Sequence, residues 1–344
     1  MIRTALTIAL ALVSSTATAA AKPIAGTPLS IEASGDFLIH SQLYNRARAY
    51  GHGRRYDFKP MVRVIKPVIS GADIALCHLE TPLWYGAPAG YPAFRTPPGL
   101  ANAIKYAGFD ACSTASNHTL DIGQRGVNTT IKVLNRVGLR HAGSYRSKAA
   151  SRKTTFLSAK GVKVAFLSYT ALTNGQRIPH SWTLNMAKAS RIVHDARIAR
   201  RRGADVVIVS IHWGTEYQHA PSGLQRSLAS KLTGSKYVTA VVGQHAHVVQ
   251  PIRWIHGKPV VFGEGNLLSN QTAACCPPES QDGMLVRLHL RVTPRRTQVE
   301  RITYMPIWVR HPDYVVVPAA RSERASWRRT VAVVGRSRRV APTP

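Results

Sequence analysis

Two histidines one residue apart, His245 and His247, follow an apolar run that stops at Gly243. If that run is a strand, both imidazoles leave the adjoining turn side by side, where they can grip metal ions. The same construction recurs along the chain. The run at 72–77 leads into His78-Leu79-Glu80, the run at 109–112 into Ser116-Asn117-His118, and the run at 206–211 into His212-Trp213-Gly214. A strand pattern at 28–39 closes on Gly35-Asp36. Open α/β sheets gather chemistry at the carboxyl ends of their strands, so these ends describe one metal-dependent site.

Each residue type suits a part in it. Asp36 offers a hard anionic oxygen, Glu80 a carboxylate able to bridge two cations, and Asn117 a neutral carbonyl oxygen. His212, His245 and His247 offer imidazole nitrogens. A mixed nitrogen and oxygen set favours Mn²⁺, Fe or Zn²⁺ over Ca²⁺. Two divalent cations about 3.5–4 Å apart would give the two-metal mode of hydrolysis. His118, next to Asn117, is the catalytic candidate, suited to protonate a leaving group. Any one of these residues alone has a plainer use, as a turn cap or a packed histidine. Their joint placement at strand ends carries the reading. His78 is two residues before Glu80 and shares its face on a regular strand. It is either a further ligand, a hydrogen-bonding support for one, or a buried histidine with no part in metal binding.

The elements that must position these residues alternate between strand and helix. Helices are expected at about 60–69, 99–107, 124–137, 185–202 and 224–232, with strands at 72–77, 109–113, 162–169, 205–211, 237–242 and 259–262. Residues 45–59 read as a surface loop or partial helix, and 284–292 as an antiparallel edge strand. Residues 82–98 hold too much Pro and Gly for regular structure. That loop follows Glu80, and the loop at 270–282 follows Gly263-x-Gly265-Asn266, so both are expected on one rim. A cleft between them would bind substrate, with Arg95 supplying charge and Trp84 or Tyr91 a flat surface. The plainer alternative is that both loops only cover the sheet's edge.

Composition bounds the function. A formal charge of +30 over 344 residues attracts polyanions, although an arginine-preferring proteome would produce the same excess. Arg3, the apolar stretch 5–13 and the small residues at 17–21 read as a signal peptide over 1–21, with a short uncleaved membrane anchor as the alternative, so the protein is expected to be exported, extracellular or cell-wall associated. Four cysteines are too few for a disulfide scaffold. Cys77 and Cys112 are either buried free thiols or a bridge between neighbouring strands.

Taken in order, Gly35-Asp36, Asn117-His118 with Asp121 and Gly123, His141-Ala142-Gly143, His212-Trp213-Gly214-x-Glu216-Tyr217, Gly243-x-His245-x-His247 with Gln250, and Gly263-x-Gly265-Asn266 form a specific combination. It resembles the CapA family of bacterial capsule and poly-γ-glutamate synthesis proteins over roughly residues 30–270. The resemblance implies an α/β, metallophosphoesterase-like fold, a two-layered β-sandwich flanked by helices, with a dinuclear metal centre at one end. The domain would occupy 22–318, followed by a basic C-terminal tail at 319–344. Two positions depart from the pattern. Ordinary metallophosphoesterases place a histidine two residues after the first aspartate, where this chain has Leu38, with His40 four residues on. The family's usual Asn-Leu-Glu reads His78-Leu79-Glu80. One metal position is therefore weaker, or His78 replaces the lost ligand.

The expected function is an exported, metal-dependent phosphoesterase-like protein acting in synthesis or processing of an anionic cell-surface polymer such as poly-γ-glutamate capsule. The alternative is a non-catalytic binding or assembly component of a synthesis and export complex with membrane subunits. A secreted nuclease would fit the charge, but the chain has no base-stacking aromatic pattern, so nucleic acid is the less favoured partner.

Overall fold

The protein is described by a computed structural model covering residues 26–294 and 296–344, so the leader expected at 1–21 lies outside the described residues. Two sheets face each other. In the larger, β1 (Thr27–Phe37), β2 (Ile74–Leu79), β3 (Ala111–Ser113) and β4 (Arg140–Ala142) run parallel in that order. The smaller begins with β5 (Thr155–Ala159) and β6 (Val162–Thr170), and continues through β7 (Val206–His212) and β8 (Ala240–Gln244). It closes with β9 (Ile252–Ile255) paired to β10 (Lys258–Val261). The chain then returns to the larger sheet. There β11 (Asn266–Leu268) pairs with the end of β1. Next come β12 (Asp282–Val292), β13 (Thr297–Arg310) and β14 (Val315–Pro318), all antiparallel, and β15 (Val340–Pro342) lies beside β13.

Hydrophobic alternation explains the layers. Ile31, Leu76 and Leu288 from the larger sheet meet Phe166, Ile208 and Val242 from the smaller, all essentially fully buried. The outer face of the larger sheet is covered by helices including Ser41–Tyr50 and Gly99–Ala107. On the smaller sheet, helix Ala189–Arg201 buries Ile192, Ala196 and Ala199, the i, i+4, i+7 stripe of a surface helix. The result is the expected sandwich flanked by helices. Among the described residues no helix is long and apolar enough to cross a membrane.

Helix Ser41–Tyr50 takes up part of the 45–59 stretch, the partial helix allowed for there, and buries Leu43 and Ala47. Two details differ from the sequence expectations. The strand at 282–292 is no edge. It lies between β13, the next strand of an antiparallel hairpin, and β1, a partner from the far end of the sequence that no local pattern reveals. The basic segment from Ala319 folds into helices Ala319–Ser322 and Arg324–Val334, with Arg329 paired to the buried Asp282 at 2.8 Å. Cys77 and Cys112, left open above, are joined in a disulfide between adjacent strands.

Close backbone approach fixes how the strand ends meet. Gly243 on β8 has no room for a side chain, because a Cβ would stand 2.1 Å from the Phe262 carbonyl oxygen and 2.4 Å from Trp213 Nε1. That indole donates to the same carbonyl at 2.9 Å. Gly243→Ala should therefore cost about 1–3 kcal/mol through overpacking. Chemical denaturation measures it, and an unchanged midpoint would mean that the neighbouring strand moves aside freely.

Candidate metal centre

The carboxyl ends of β1, β2, β7 and β8 converge at one edge of the sandwich. Parallel pairing sets Asp36 beside His78 and His212 beside Gln244. Asn117 enters from the turn after β3, its Oδ1 2.9 Å from His212 Nε2. His245 and His247 follow β8, and their rings stand 5.9 Å apart with His212 4.6 Å from His245. His247 Nδ1 lies 3.3 Å from Asp36 Oδ2, and its Nε2 lies 3.7 Å from Glu80 Oε1. The six ligand candidates named from the sequence are thus brought together, all buried.

Their grouping has the dimensions of a metal site. Ligating atoms of Asp36, His78 and His212 lie within 4.8 Å of one another, as do those of Glu80, His212 and His245, and of Asp36, Glu80 and His247. Glu80 and Asp36 each belong to more than one group, as a carboxylate shared between neighbouring cations must. The chemistry also fits. Asp36 Oδ1, both Glu80 oxygens, His78 Nε2 and His245 Nδ1 are buried without any hydrogen-bond partner. Buried carboxylates left in this state are costly, and a cation at their common focus would compensate them.

His78 belongs with this set. Its Nδ1 is 2.9 Å from Ser113 Oγ, which directs Nε2 toward Asp36 Oδ1 at 3.7 Å. Its ring stacks on His212 at 4.9 Å. His40 does not replace the histidine absent at Leu38. The Asn270 amide donates to His40 Nδ1 at 3.3 Å, and its ring packs edge-on against Phe94.

Protonation follows burial and charge. Burial pulls His78 down to about 4 and His245 to about 3, and holds His212 well below the ordinary imidazole range. These rings are neutral, as ligation requires. Burial acts on His247 in the same direction, but the charge of Glu80 and the hydrogen bond to Asp36 outweigh it and lift His247 to about 10. Burial pushes Glu80 well above the carboxylate range. It also pushes Asp36 upward, yet the His247 hydrogen bond and the neighbouring histidines hold Asp36 below its usual value.

The backbone here is strained. His245, His247 and Tyr217 have φ of 95°, 55° and 62°, a region that non-glycine residues occupy at a cost on the order of 1–3 kcal/mol each. Surrounding bonds hold them. Asn266 Oδ1 is 3.0 Å from His247 Nδ1, and its amide nitrogen donates to Gln271 and to the Ser280 carbonyl.

A cleft of about 910 Å³ opens over the centre, and His118, His247, Glu216 and Tyr217 are in its wall. His118 Nδ1 is 2.9 Å from Asp121 Oδ2, a carboxylate that also accepts from the Phe94 amide and from Gln176. Tyr91 lines the cleft with 79% of its surface exposed. Trp84 and Arg95, named with it from the sequence, are not in the lining. The loop doubles back through Trp84 N to Thr96 O and paired Ala89–Arg95 bonds, so only its 88–94 tip reaches the cleft. The 270–276 stretch forms part of the facing wall, with Asn270, Gln271, Cys275 and Cys276.

Sequence reasoning passed over Glu216, whose carboxylate groups with His245 and His247, and Asn266, which braces His247. Both stood in quoted motifs, but nothing in spacing alone distinguished them from structural residues.

The chain matches the family model described as bacterial capsule synthesis protein PGA_cap over residues 30–271. It is 26% identical over 248 residues to the capsule biosynthesis protein CapA of Bacillus anthracis, covering 69% of this chain and 59% of that protein. It is 25% identical over 235 residues to the PGA biosynthesis protein CapA of Bacillus subtilis, covering 66% of this chain and 60% of that protein. A probable polyglutamine synthesis accessory protein of Mycobacterium tuberculosis is 24% identical over 217 residues, with 58% of this chain and 57% of that one covered. The chain therefore spans less than two thirds of the length of these relatives. Among solved structures, a phosphatase from Mycoplasma pneumoniae aligns with TM-score 0.50 and 14% identity over 84% of this chain and 96% of its own. The calcineurin-like phosphoesterase YfkN from Bacillus subtilis aligns with TM-score 0.51 and 15% identity over 89% of this chain and 96% of its own. At such identities the likeness concerns the fold, which is that of the calcineurin-like metallophosphoesterases.

Two outcomes follow from the site's geometry and protonation. His78→Ala should lower the metal bound per chain, measured by elemental analysis, whereas unchanged stoichiometry would reduce His78 to a buried, hydrogen-bonded histidine. The buried His247–Glu80 pair holds a proton that an incoming cation must displace, so binding releases a proton and affinity should rise with pH. Calorimetric titration of Mn²⁺ or Zn²⁺ in buffers of different ionisation enthalpy reads that release directly, and none would contradict the assignment.

Proposed function

This chain belongs to the bacterial capsule synthesis protein family, and from that premise we propose that it is an exported, metal-dependent phosphoesterase-like enzyme acting on an anionic cell-surface polymer of the poly-glutamate kind. The observation that carries the reading is the convergence of Asp36, Glu80, Asn117, His212, His245 and His247 with several of their ligating atoms buried and unpartnered. We assign two divalent cations. Asp36, Glu80 and His247, with His78, would hold one; Glu80, Asn117, His212 and His245 would hold the other. Bound there, divalent cations supply Lewis acidity and neutralise charge developing on a phosphoryl or acyl oxygen.

The chain's own groups do the rest. Asp121 orients His118 through Nδ1, which leaves Nε2 to pass a proton to the departing oxygen. Phe94 packs edge-on against that ring at 4.7 Å and limits its rotation. Tyr91 offers a flat surface at the cleft mouth. Export is supported by the apolar leader pattern and by the Cys77–Cys112 bridge, which suits an oxidising compartment.

A second reading is favoured by one observation: Leu38 stands where ordinary metallophosphoesterases have a ligand. The protein would then bind polymer without cleaving it, as an assembly component beside membrane subunits. Hydrolysis of bis(p-nitrophenyl) phosphate by the metal-loaded protein separates the two. His118→Ala should slow turnover by about 10²–10⁴-fold while leaving metal content unchanged. No metal-dependent turnover would remove the enzymatic reading and leave assembly standing, whereas equal rates in the variant would remove His118 as the proton donor.

A further inference from the structure

Among the described residues the cleft over the metal centre has no Lys or Arg in its lining, although the chain carries 46 basic residues against 16 acidic ones. Basic charge gathers elsewhere. Two adjoining hollows of about 690 and 310 Å³ lie between helix Lys148–Ser151, helix Ala189–Arg201 and the loop that follows β6. They share Arg152 and Arg191, so they form one continuous groove. Lys148, Arg152, Lys153, Lys188, Arg191 and Arg202 line it, all exposed.

Its charge is uncompensated. The one carboxylate in the lining is Asp195, which is bound by Arg191 Nε at 2.7 Å and by Tyr169 Oη at 3.0 Å. Lys148, Arg152, Lys153 and Lys188 have no acidic partner among the described residues. Neighbouring cations without counter-charges repel one another, and an anionic chain laid along them relieves that repulsion and gains from its own neutralisation.

The groove is also connected to the metal centre by a single loop. Thr170 pairs with His212 in adjacent strands. Beyond it, Asn174 Oδ1 accepts from Asn117 Nδ2 at 3.2 Å, and Gln176 Nε2 donates to Asp121 Oδ1 at 3.0 Å. A few residues later the same loop lines the groove with Ile178, Trp182 and Lys188. Nucleic acid would call for successive exposed aromatic platforms. Here Trp182 is already stacked on His180 at 4.7 Å, while Tyr145 and Tyr169 are buried.

The geometry points to this groove as a docking site for a polycarboxylate chain, which holds the polymer beside the metal cleft so that one end can pass over the 171–188 loop toward Asn117 and His118. The inference rests on the polymer reading above and adds where the polymer is gripped. Division of labour follows: long-range positive charge acts in the groove, and the cleft wall, without Lys or Arg, admits the bond to be processed.

The test uses the full-length, metal-loaded protein and fluorescein-labelled poly-γ-glutamate, followed by anisotropy across a salt series. The triple substitution Lys148→Ala, Arg152→Ala, Lys188→Ala should raise Kd at least tenfold at low salt and flatten its salt dependence. Metal content and hydrolysis of the small diester should stay unchanged. A control triple, Arg324→Ala, Arg328→Ala, Arg338→Ala, removes the same charge from exposed positions on the C-terminal segment and should change Kd much less. Equal weakening by both triples would mean that net charge alone binds, and would overturn the groove. So would tighter binding of a labelled single-stranded oligonucleotide through the same residues. Binding by the unsubstituted protein that the groove triple leaves intact overturns the groove alone. Absence of polymer binding in the unsubstituted protein overturns the polymer reading and the groove with it.

Discussion

Asp36 and Glu80 place two carboxylates in the interior, 0% and 1% exposed, with four histidines around them. Removing a carboxylate from water without full compensation costs on the order of several kcal/mol. His247 offsets part of that cost by holding a proton between the two acids, and the remaining oxygens have no partner. The site is thus an electrostatic demand built into the fold, and a divalent cation is the species that meets it. The surrounding architecture serves to keep these groups from relaxing apart.

That service is visible in the backbone. At Gly35 a Cβ would stand 1.8 Å from the Gly265 carbonyl oxygen, because β1 and β11 approach as closely as two backbones can. The approach places Asp36 against the His245 amide at 3.3 Å and sets Asn266 to brace His247. The left-handed φ values at His245 and His247 store strain that hydrogen bonds and packing from both sheets must sustain. Core burial between the sheets supplies the stability, and the metal edge draws on it.

The charge distribution separates attraction from chemistry. A basic exterior concentrates anions around the molecule, while the cleft wall carries histidines, amides, aromatic rings and the Glu216 carboxylate. An anionic substrate reaching the cleft meets no fixed Lys or Arg there to hold it in place of the metal centre. Selectivity at the cleft would therefore come from shape, from amide hydrogen bonds and from any cation held by the buried ligands.

Local pattern made much of this legible in the amino-acid sequence. An apolar run followed by Asp, Glu, Asn or His at its carboxyl end signals a strand delivering a ligand, and these signals need no knowledge of distant partners. The helices at 99–107 and 124–137 were readable for the same reason, since amphipathic spacing is set within a few turns. Tertiary structure decided what depends on long-range pairing. It placed strand 282–292 inside the sheet, because β1 from the start of the chain pairs along the side that the β13 hairpin leaves open. It joined Cys77 to Cys112 by parallel register, and it folded the arginine-rich C-terminal segment by giving Arg329 the buried Asp282 as a partner. It also withdrew Trp84 and Arg95 from the cleft through backbone bonds within their own loop, and left Tyr91 at the rim. Residue chemistry is written locally, whereas which groups share a cavity depends on contacts between segments hundreds of residues apart, whose geometry no local spacing encodes.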